Sequence, residues 1–167
     1  MEAPEVSPVQ PYTLRSIYLR KSSTRFADNF DPTMPGQPVA GIFRNTSGLA
    51  ECRETEVEIN NERMVMRSCA FTTRFDFAYT RPDETNVPSS DEDIEKRLVA
   101  QITAEITVDY LFNATEFPDA EALQKWGSTN VLLQAWPYWR ELCHSTLLRM
   151  NLPVTIMPLV VFPNEPN

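Results

Sequence analysis

A long segment, residues 98–112, alternates between apolar and polar side chains, and this pattern restricts the fold more than any other feature of the sequence. The apolar set is Leu98, Ala100, Ile102, Ala104, Ile106, Val108, Tyr110 and Phe112, and the polar set between them is Gln101, Thr103, Glu105, Thr107 and Asp109. Because successive side chains of a strand point to opposite faces, the segment predicts a long strand with one buried face and one solvated face.

Three further segments predict strands. Residues 12–26 are rich in β-branched and aromatic side chains and are followed by a loop containing prolines and glycines. Residues 53–60 alternate, with glutamates on one face, and residues 65–79 form a second long amphipathic strand after a turn signal at Asn60-Asn61. Residues 81–96 have the composition of an exposed connection, in which the acidic run 91–93 indicates either a solvated loop or a docking site.

The apolar period changes from two to between three and four after Pro118-Asp119, which predicts helices with an acidic start at Glu121. Gly127 and Pro137 are expected to divide this region into two helices. Residues 152–167 are apolar and punctuated by prolines, so they should be extended. Strands first and helices last predict an α+β fold: an antiparallel four-stranded sheet with C-terminal helices packed on one face.

The length of 167 residues and the hydrophobic fraction of 42% suit one domain with an adequate core. We expect a disordered lead-in at residues 1–11, one domain over residues 12–162 and a short tail at residues 163–167.

The composition argues against several classes of partner. A formal charge of -8 disfavours nucleic acid and anionic lipid surfaces. The sequence also shows no signal peptide and no apolar run long enough to cross a bilayer, so we expect a cytoplasmic protein without membrane insertion. The cysteines at 52, 69 and 143 match no metal-binding spacing and are interpreted as small buried hydrophobes rather than a disulfide pair.

The residue patterns of common catalytic sites are missing from the sequence. The chain has four glycines and no glycine-rich phosphate loop, and its single histidine, His144, follows Cys143 on a helix, where adjacent side chains point about 100° apart. Glu105 and Asp109 share a strand face but are roughly 13 Å apart, too far for a glycosidase pair. We therefore predict no catalytic residue, no metal site and no cofactor, and hence a protein that is not an enzyme.

Residues 136–141, with the sequence WPYWRE, and the later Leu152-Pro153 carry a specific resemblance. They resemble the signature of the SecB-type protein-export chaperones, an aromatic-Pro-Tyr-x-Arg-Glu helix start followed by a Phe-Pro or Leu-Pro strand. The match is collinear without a gap from Pro137 to Phe162, and the order of the elements extends it loosely back to Tyr12.

The resemblance implies a molecular chaperone that keeps unfolded or precursor polypeptides competent for translocation or folding, in the form of a homotetramer built as a dimer of dimers. It implies a client-binding set of Ile102, Ile106, Tyr138, Leu142 and Thr155. It also implies that Glu105 contacts the export motor SecA.

Several positions depart from the family pattern. Where the family has acidic residues near its first strand, this chain has Arg20, Lys21 and Arg25, and Thr103 replaces a leucine two residues before Glu105. We also expect the C-terminal helix and tail of export chaperones to be missing after Phe162. Weak SecA binding is therefore expected, and the chain also resembles the SecB-like chaperones that protect an antitoxin in a toxin and antitoxin system.

Two interpretations of other classes remain open at this point. A small-molecule-binding or hydrolytic α+β domain would require a pocket containing Glu105 or Asp109. A scaffold subunit would bind one stoichiometric partner and have no affinity for unfolded proteins.

Overall fold

The structure is a computed structural model that describes residues 12–28, 30–33, 39–82, 90–112, 116–155 and 157, apart from the side chains of Leu49 and Ile59. The expected lead-in 1–11 and tail 163–167 lie outside the described residues, as do residues 158–162 of the expected domain and 83–89 of the expected connection. The elements are β1 (Tyr12–Phe26), β2 (Ala40–Ile59), β3 (Glu62–Thr80), α1 (Asp91–Arg97), β4 (Leu98–Phe112) and α2 (Ala120–Arg149).

The four strands form one antiparallel sheet in the order β1-β4-β3-β2. The two most strongly alternating segments of the sequence are therefore the central strands β3 and β4, and β1 and β2 are the edges. The alternate apolar residues of β4 from Ala100 to Phe112 are buried on the face that α2 covers, with Val108 0% exposed. Leu98, which the alternation placed on the same face, is instead buried on the opposite face, because the register with β3 shifts between Tyr79 and Thr80. The predicted antiparallel four-stranded sheet is confirmed.

Strand β2 begins at Ala40, well before the predicted start at residue 53. The early half of β2 contains Gly41 and a polar stretch through Gly48, which local propensity does not favour in a strand. Pairing with β3 overrides that propensity, because Ala40 lies opposite Thr80 and the ladder continues to a bulge between Ser47 and Ala50. The predicted loop after β1 was therefore wrong for Ala40 and Gly41, which belong to β2.

Residues 91–97 form helix α1 rather than the predicted loop. Ser90 is its N-cap and accepts a hydrogen bond from the backbone N–H of Asp93, and pairs between positions four apart join Glu92 to Lys96 and Asp93 to Arg97. The segment also has an apolar anchor, because Ile94 is buried with Leu98 and Ala78 on the sheet face opposite α2.

The two predicted C-terminal helices are one continuous helix, α2, capped by Asp119 at its N-terminus as the sequence predicts. Gly127 does not end the helix; it allows close approach, because a Cβ atom there would lie 2.6 Å from Cε1 of Phe71. Pro137 is exposed, and the helix continues through it. Tertiary packing therefore overrides both helix-breaking signals.

Aromatic rings join α2 to the sheet. Trp139 is fully buried and stacks on Phe75 of β3, with centroids 5.4 Å apart and planes at 9°. Trp136 meets Phe43 of β2 edge to face at 4.8 Å, and Trp126 stacks on Tyr12 of β1 at 3.9 Å. These contacts fix which flank of α2 faces each edge of the sheet.

The β2–β3 hairpin extends beyond the rest of the sheet. The pairing of β3 with β4 begins at Arg67 opposite Phe112, so residues 55–66 form a projecting ribbon of two strands. Its turn residues Asn60 and Asn61 both have positive φ, of 54° and 65°, which agrees with the predicted turn. An isolated two-stranded ribbon is only marginally stable in water.

The close approach at Gly127 leads to a stability prediction. Gly127→Ala normally gains about 1 kcal/mol in a helix interior, but here the added methyl group overlaps the buried Phe71 ring, at a cost of about 1–3 kcal/mol. We expect a net loss of about 1 kcal/mol in urea unfolding. Thr129→Ala, at an exposed position of the same helix, is the control and should not destabilise. A Gly127→Ala variant at least as stable as this control would contradict the packing argument.

Candidate functional site

Among the described residues, little covers the inner face of β1, on the side of the sheet that carries α2. Helix α2 packs mainly on β2, β3 and β4. The inward-facing apolar residues of β1 therefore remain accessible: Leu14 is 45% exposed, Leu19 is 47% exposed, and Ile17 is half-buried. A row of exposed apolar side chains on an edge strand is a surface available to another polypeptide.

Helix α2 borders this face with one of its two flanks. A row of buried residues recurs every four positions along α2, from Leu123 to Leu147. Residues one position before this row lie on the flank of Trp126, which contacts β1, and residues one position after it lie on the flank of Trp136, which contacts β2. Tyr138 and Leu142 belong to the first flank. Tyr138 is 53% exposed and Leu142 is half-buried. We name Leu14, Ile17, Leu19, Tyr138 and Leu142 the β1 flank.

The structure separates the predicted client-binding residues into three places. Tyr138 and Leu142 lie together on the β1 flank. Ile102 and Ile106 are 1% and 2% exposed beneath α2, so a client would reach them only if the helix moved away from the sheet. Thr155 is exposed on the opposite side of α2. The roles of all five residues stay predictions.

A cavity of about 410 Å³ lies on that opposite side, between α2 and the C-terminal segment. Its lining residues are Pro137, Arg140, Glu141, His144, Val154, Thr155 and Met157. Tyr79 holds the segment against the sheet, since its hydroxyl donates to the carbonyl of Pro153 at 2.6 Å and also contacts the Thr155 hydroxyl. The first part of the predicted extended end therefore packs against the end of the sheet.

The seam between α2 and the sheet contains buried polar atoms without a hydrogen-bond partner among the described residues. They are Thr73 Oγ1, Tyr110 Oη, Trp139 Nε1 and Gln134 Oε1. Burial also raises the pKa of Tyr110 to about 12, so its hydroxyl stays protonated. A polar atom that stays unpaired in an apolar interior costs about 1–3 kcal/mol, so these atoms favour any partner that can form a hydrogen bond with them.

Glu105 lies on the opposite, polar face of the sheet, as predicted, and is half-buried. Its register partners are cationic on both sides: Lys21 on β1 and Arg74 on β3. Nearby, Thr103 shares a hydrogen bond of 2.6 Å with Ser23 of β1. Arg74 also donates to both carboxylate oxygens of Asp76, so Glu105 shares this cation with a second carboxylate. Lys21 and Arg74 together reduce the negative potential that a basic partner would meet at Glu105.

Asp109 lines a concavity of about 480 Å³ on the same polar face. Three arginines also line the concavity, at positions 15, 20 and 53. Arg15 forms an ion pair with Asp109 at 3.6 Å, whereas Arg20 and Arg53 both pair with Glu51. The sheet curls enough for Arg20 of β1 to approach Glu51 of β2 at 3.9 Å. A small-molecule-binding domain would require a pocket of this kind, and the three arginines would favour an anionic ligand in it.

In the part of the chain that the structure describes, the ionisable groups do not form an arrangement typical of acid–base or nucleophilic catalysis. Burial raises the pKa of Cys143 to about 12, which makes its thiol unreactive near neutral pH, and the neighbouring His144 is exposed. Among the described residues, no group of three or more His, Cys, Asp and Glu side chains could hold a metal ion. Within the same residues, no helix has the length and apolarity needed to span a membrane.

Sequence reasoning missed the β1 part of this surface. The sequence predicts β1 as a strand but does not indicate that its apolar residues remain uncovered, because that depends on where α2 lies. One signal was available: a single helical region for four strands implies that part of the sheet face stays open.

Comparison with known proteins supports the fold. No protein-family model and no curated protein sequence matches this chain. Among solved structures, the chain is similar to the Rv1957 SecB-like chaperone of Mycobacterium tuberculosis, solved in complex with a ChAD peptide from the HigA1 antitoxin. The TM-score is 0.61 at 14% sequence identity, over 92% of this chain and 93% of that one. The chain therefore has a SecB-like fold, as the residues around Pro137 predicted.

Proposed function

We propose that this protein is a molecular chaperone that binds unfolded or precursor polypeptides in the cytoplasm and keeps them competent for translocation or folding. The observation that carries the proposal is the β1 flank, an accessible apolar surface beside an edge strand in a fold shared with a SecB-like chaperone. An extended client segment can place alternate apolar side chains on Leu14, Ile17 and Leu19.

The remaining surface suits this activity. A formal charge of -8 keeps a protein with exposed apolar residues soluble and favours clients with basic segments. The unpaired polar atoms beneath α2 support a second stage of binding, because a client main chain carries both donors and acceptors and can pair with them if the helix shifts. Ile102 and Ile106 would then contact the client.

Charge substitutions at exposed apolar positions test the site. We expect Leu19→Asp combined with Tyr138→Asp to weaken client binding at least tenfold, because each change removes about 1 kcal/mol of apolar contact and places a charge against the client. The measurement is the affinity for a permanently unfolded, fluorescently labelled polypeptide, together with the delay of its aggregation.

Leu133→Asp is the matched control for each single substitution, Leu19→Asp and Tyr138→Asp, because it adds the same single charge at a 49% exposed leucine on the outer side of α2. Thr155→Asp tests the opposite side of the helix, and Leu142→Ala tests the half-buried member of the β1 flank. A melting curve for each variant separates loss of binding from loss of folding. Unchanged client affinity in a folded Leu19→Asp/Tyr138→Asp variant would remove the β1 flank from the site.

Assembly is the second expectation. Both edge strands are unpaired in the described chain, and β1 exposes apolar residues, so we expect a closed symmetric oligomer, with a homotetramer arranged as a dimer of dimers as the form implied by the family. Light scattering at micromolar concentration should give the mass of a dimer or a tetramer. A strictly monomeric mass would contradict this expectation.

The client class has two candidates, precursor proteins for export and an antitoxin. The flanking of Glu105 by Lys21 and Arg74 favours the antitoxin, since it weakens the acidic surface on which SecA docking would depend. The SecB-like chaperone of similar fold was solved with an antitoxin peptide, which also supports that candidate.

We expect SecA binding to be weaker than micromolar. The test is a titration of the client-loaded protein with SecA of the same host, followed by fluorescence. Micromolar or tighter affinity that Glu105→Ala abolishes would show an export chaperone. Weak SecA binding, together with tight capture of an antitoxin encoded beside this chain, would support protection of a local partner. One stoichiometric partner without any affinity for unfolded proteins would instead indicate a scaffold subunit.

A further inference from the structure

Cys52 and Cys69 face each other across the β2–β3 pair. They are direct register partners, and their Sγ atoms are 2.7 Å apart. Directly paired side chains of an antiparallel ladder share one face, so the two sulfurs approach without any distortion of the chain path. A disulfide requires about 2.0 Å between the sulfurs, so bond formation needs a further approach of only about 0.7 Å. Both cysteines are present as free thiols.

The two thiols differ in accessibility. Cys52 is half-buried at the outer strand β2, whereas Cys69 is fully buried. Burial raises the pKa of Cys69, and the hydrogen bond and charge of Cys52 raise it further. A low thiolate fraction makes Cys69 a poor first nucleophile. Cys52 is therefore the thiol that an external oxidant meets, and Cys69 is placed to react with it second.

We propose that Cys52 and Cys69 form a redox-sensitive site at which a peroxide produces a reversible cross-strand disulfide. The Cys52 sulfur attacks one oxygen of hydrogen peroxide, the O–O bond breaks, and a sulfenic acid and one water result. The Cys69 sulfur then attacks the Cys52 sulfur, which forms the S–S bond and releases a second water. Two thiols and one peroxide thus become one disulfide and two waters, and a small thiol reverses the change by exchange.

The position of the pair determines what the bond would do. The Cys52–Cys69 pair lies two register positions from Arg67 and Phe112, where the four-stranded sheet ends and the projecting ribbon of residues 55–66 begins. Among the described residues, the strand segments of the ribbon pair only with each other. A covalent link at its base would prevent β2 from separating there, and so would slow local opening of the ribbon.

The test uses the full chain treated with hydrogen peroxide. We expect a mass lower by two hydrogens, a fall from three titratable thiols to one in denaturant, and a linked peptide pair containing residues 52 and 69. The melting temperature should rise by roughly 5–10 °C, and amide exchange in residues 55–66 should slow. Cys143→Ser, which alters the third buried cysteine, is the matched control and should behave like the parent chain. Cys52→Ser should abolish every change.

Three results would overturn the proposal. They are three titratable thiols after treatment, oxygen added to Cys52 without a link to Cys69, and disulfides only between chains. Thiol counting and mass do not depend on the stability of a variant, so they remain decisive if Cys52→Ser folds poorly. None of these measurements uses a client, so their outcome is independent of the chaperone proposal.

Discussion

One helix cannot cover a four-stranded sheet, and the exposed surface of this protein follows from that geometry. A helix with its side chains is about 10–12 Å wide, whereas the axes of four strands span about 14 Å before side chains are added. The stacked pair Trp139 and Phe75 holds α2 over the central strands, and Gly127 brings the helix close to Phe71. The inner face of β1 is the part that remains open, and Leu14 and Leu19 are exposed there.

On the face of the sheet opposite α2, ion pairs connect the edge strands to α1. Arg25 of β1 forms an ion pair with Glu95 of α1 at 2.6 Å, and Arg44 of β2 pairs with Asp91 of the same helix. These two pairs join both edge strands through one short helix at one end of the polar face. Exposed pairs of this kind contribute little stability individually, so their main effect is to set the position of α1. Lys21 and Arg74 beside Glu105 extend the mixed-charge character along the sheet.

Stability and accessibility therefore oppose each other on the helix-bearing face. Extending α2 over β1 would bury Leu19 and Tyr138 and stabilise the fold, but it would also remove the surface proposed for client binding.

The sequence alone determined the elements whose period is strong. The alternation of residues 98–112 set β4, the Asn60-Asn61 turn set the hairpin, and the residues around Pro137 identified the SecB-like fold. Local signals failed where long-range pairing or packing competed with them. Strand β2 extends through polar residues because β3 pairs with it. Gly127 lies inside α2 because a larger side chain there would overlap the ring of Phe71. Only the tertiary structure could show that Ile106 is covered while Leu19 is open, and that Cys52 lies against Cys69. Both facts depend on which residues distant in sequence lie beside each other, and sequence periodicity carries no information about that.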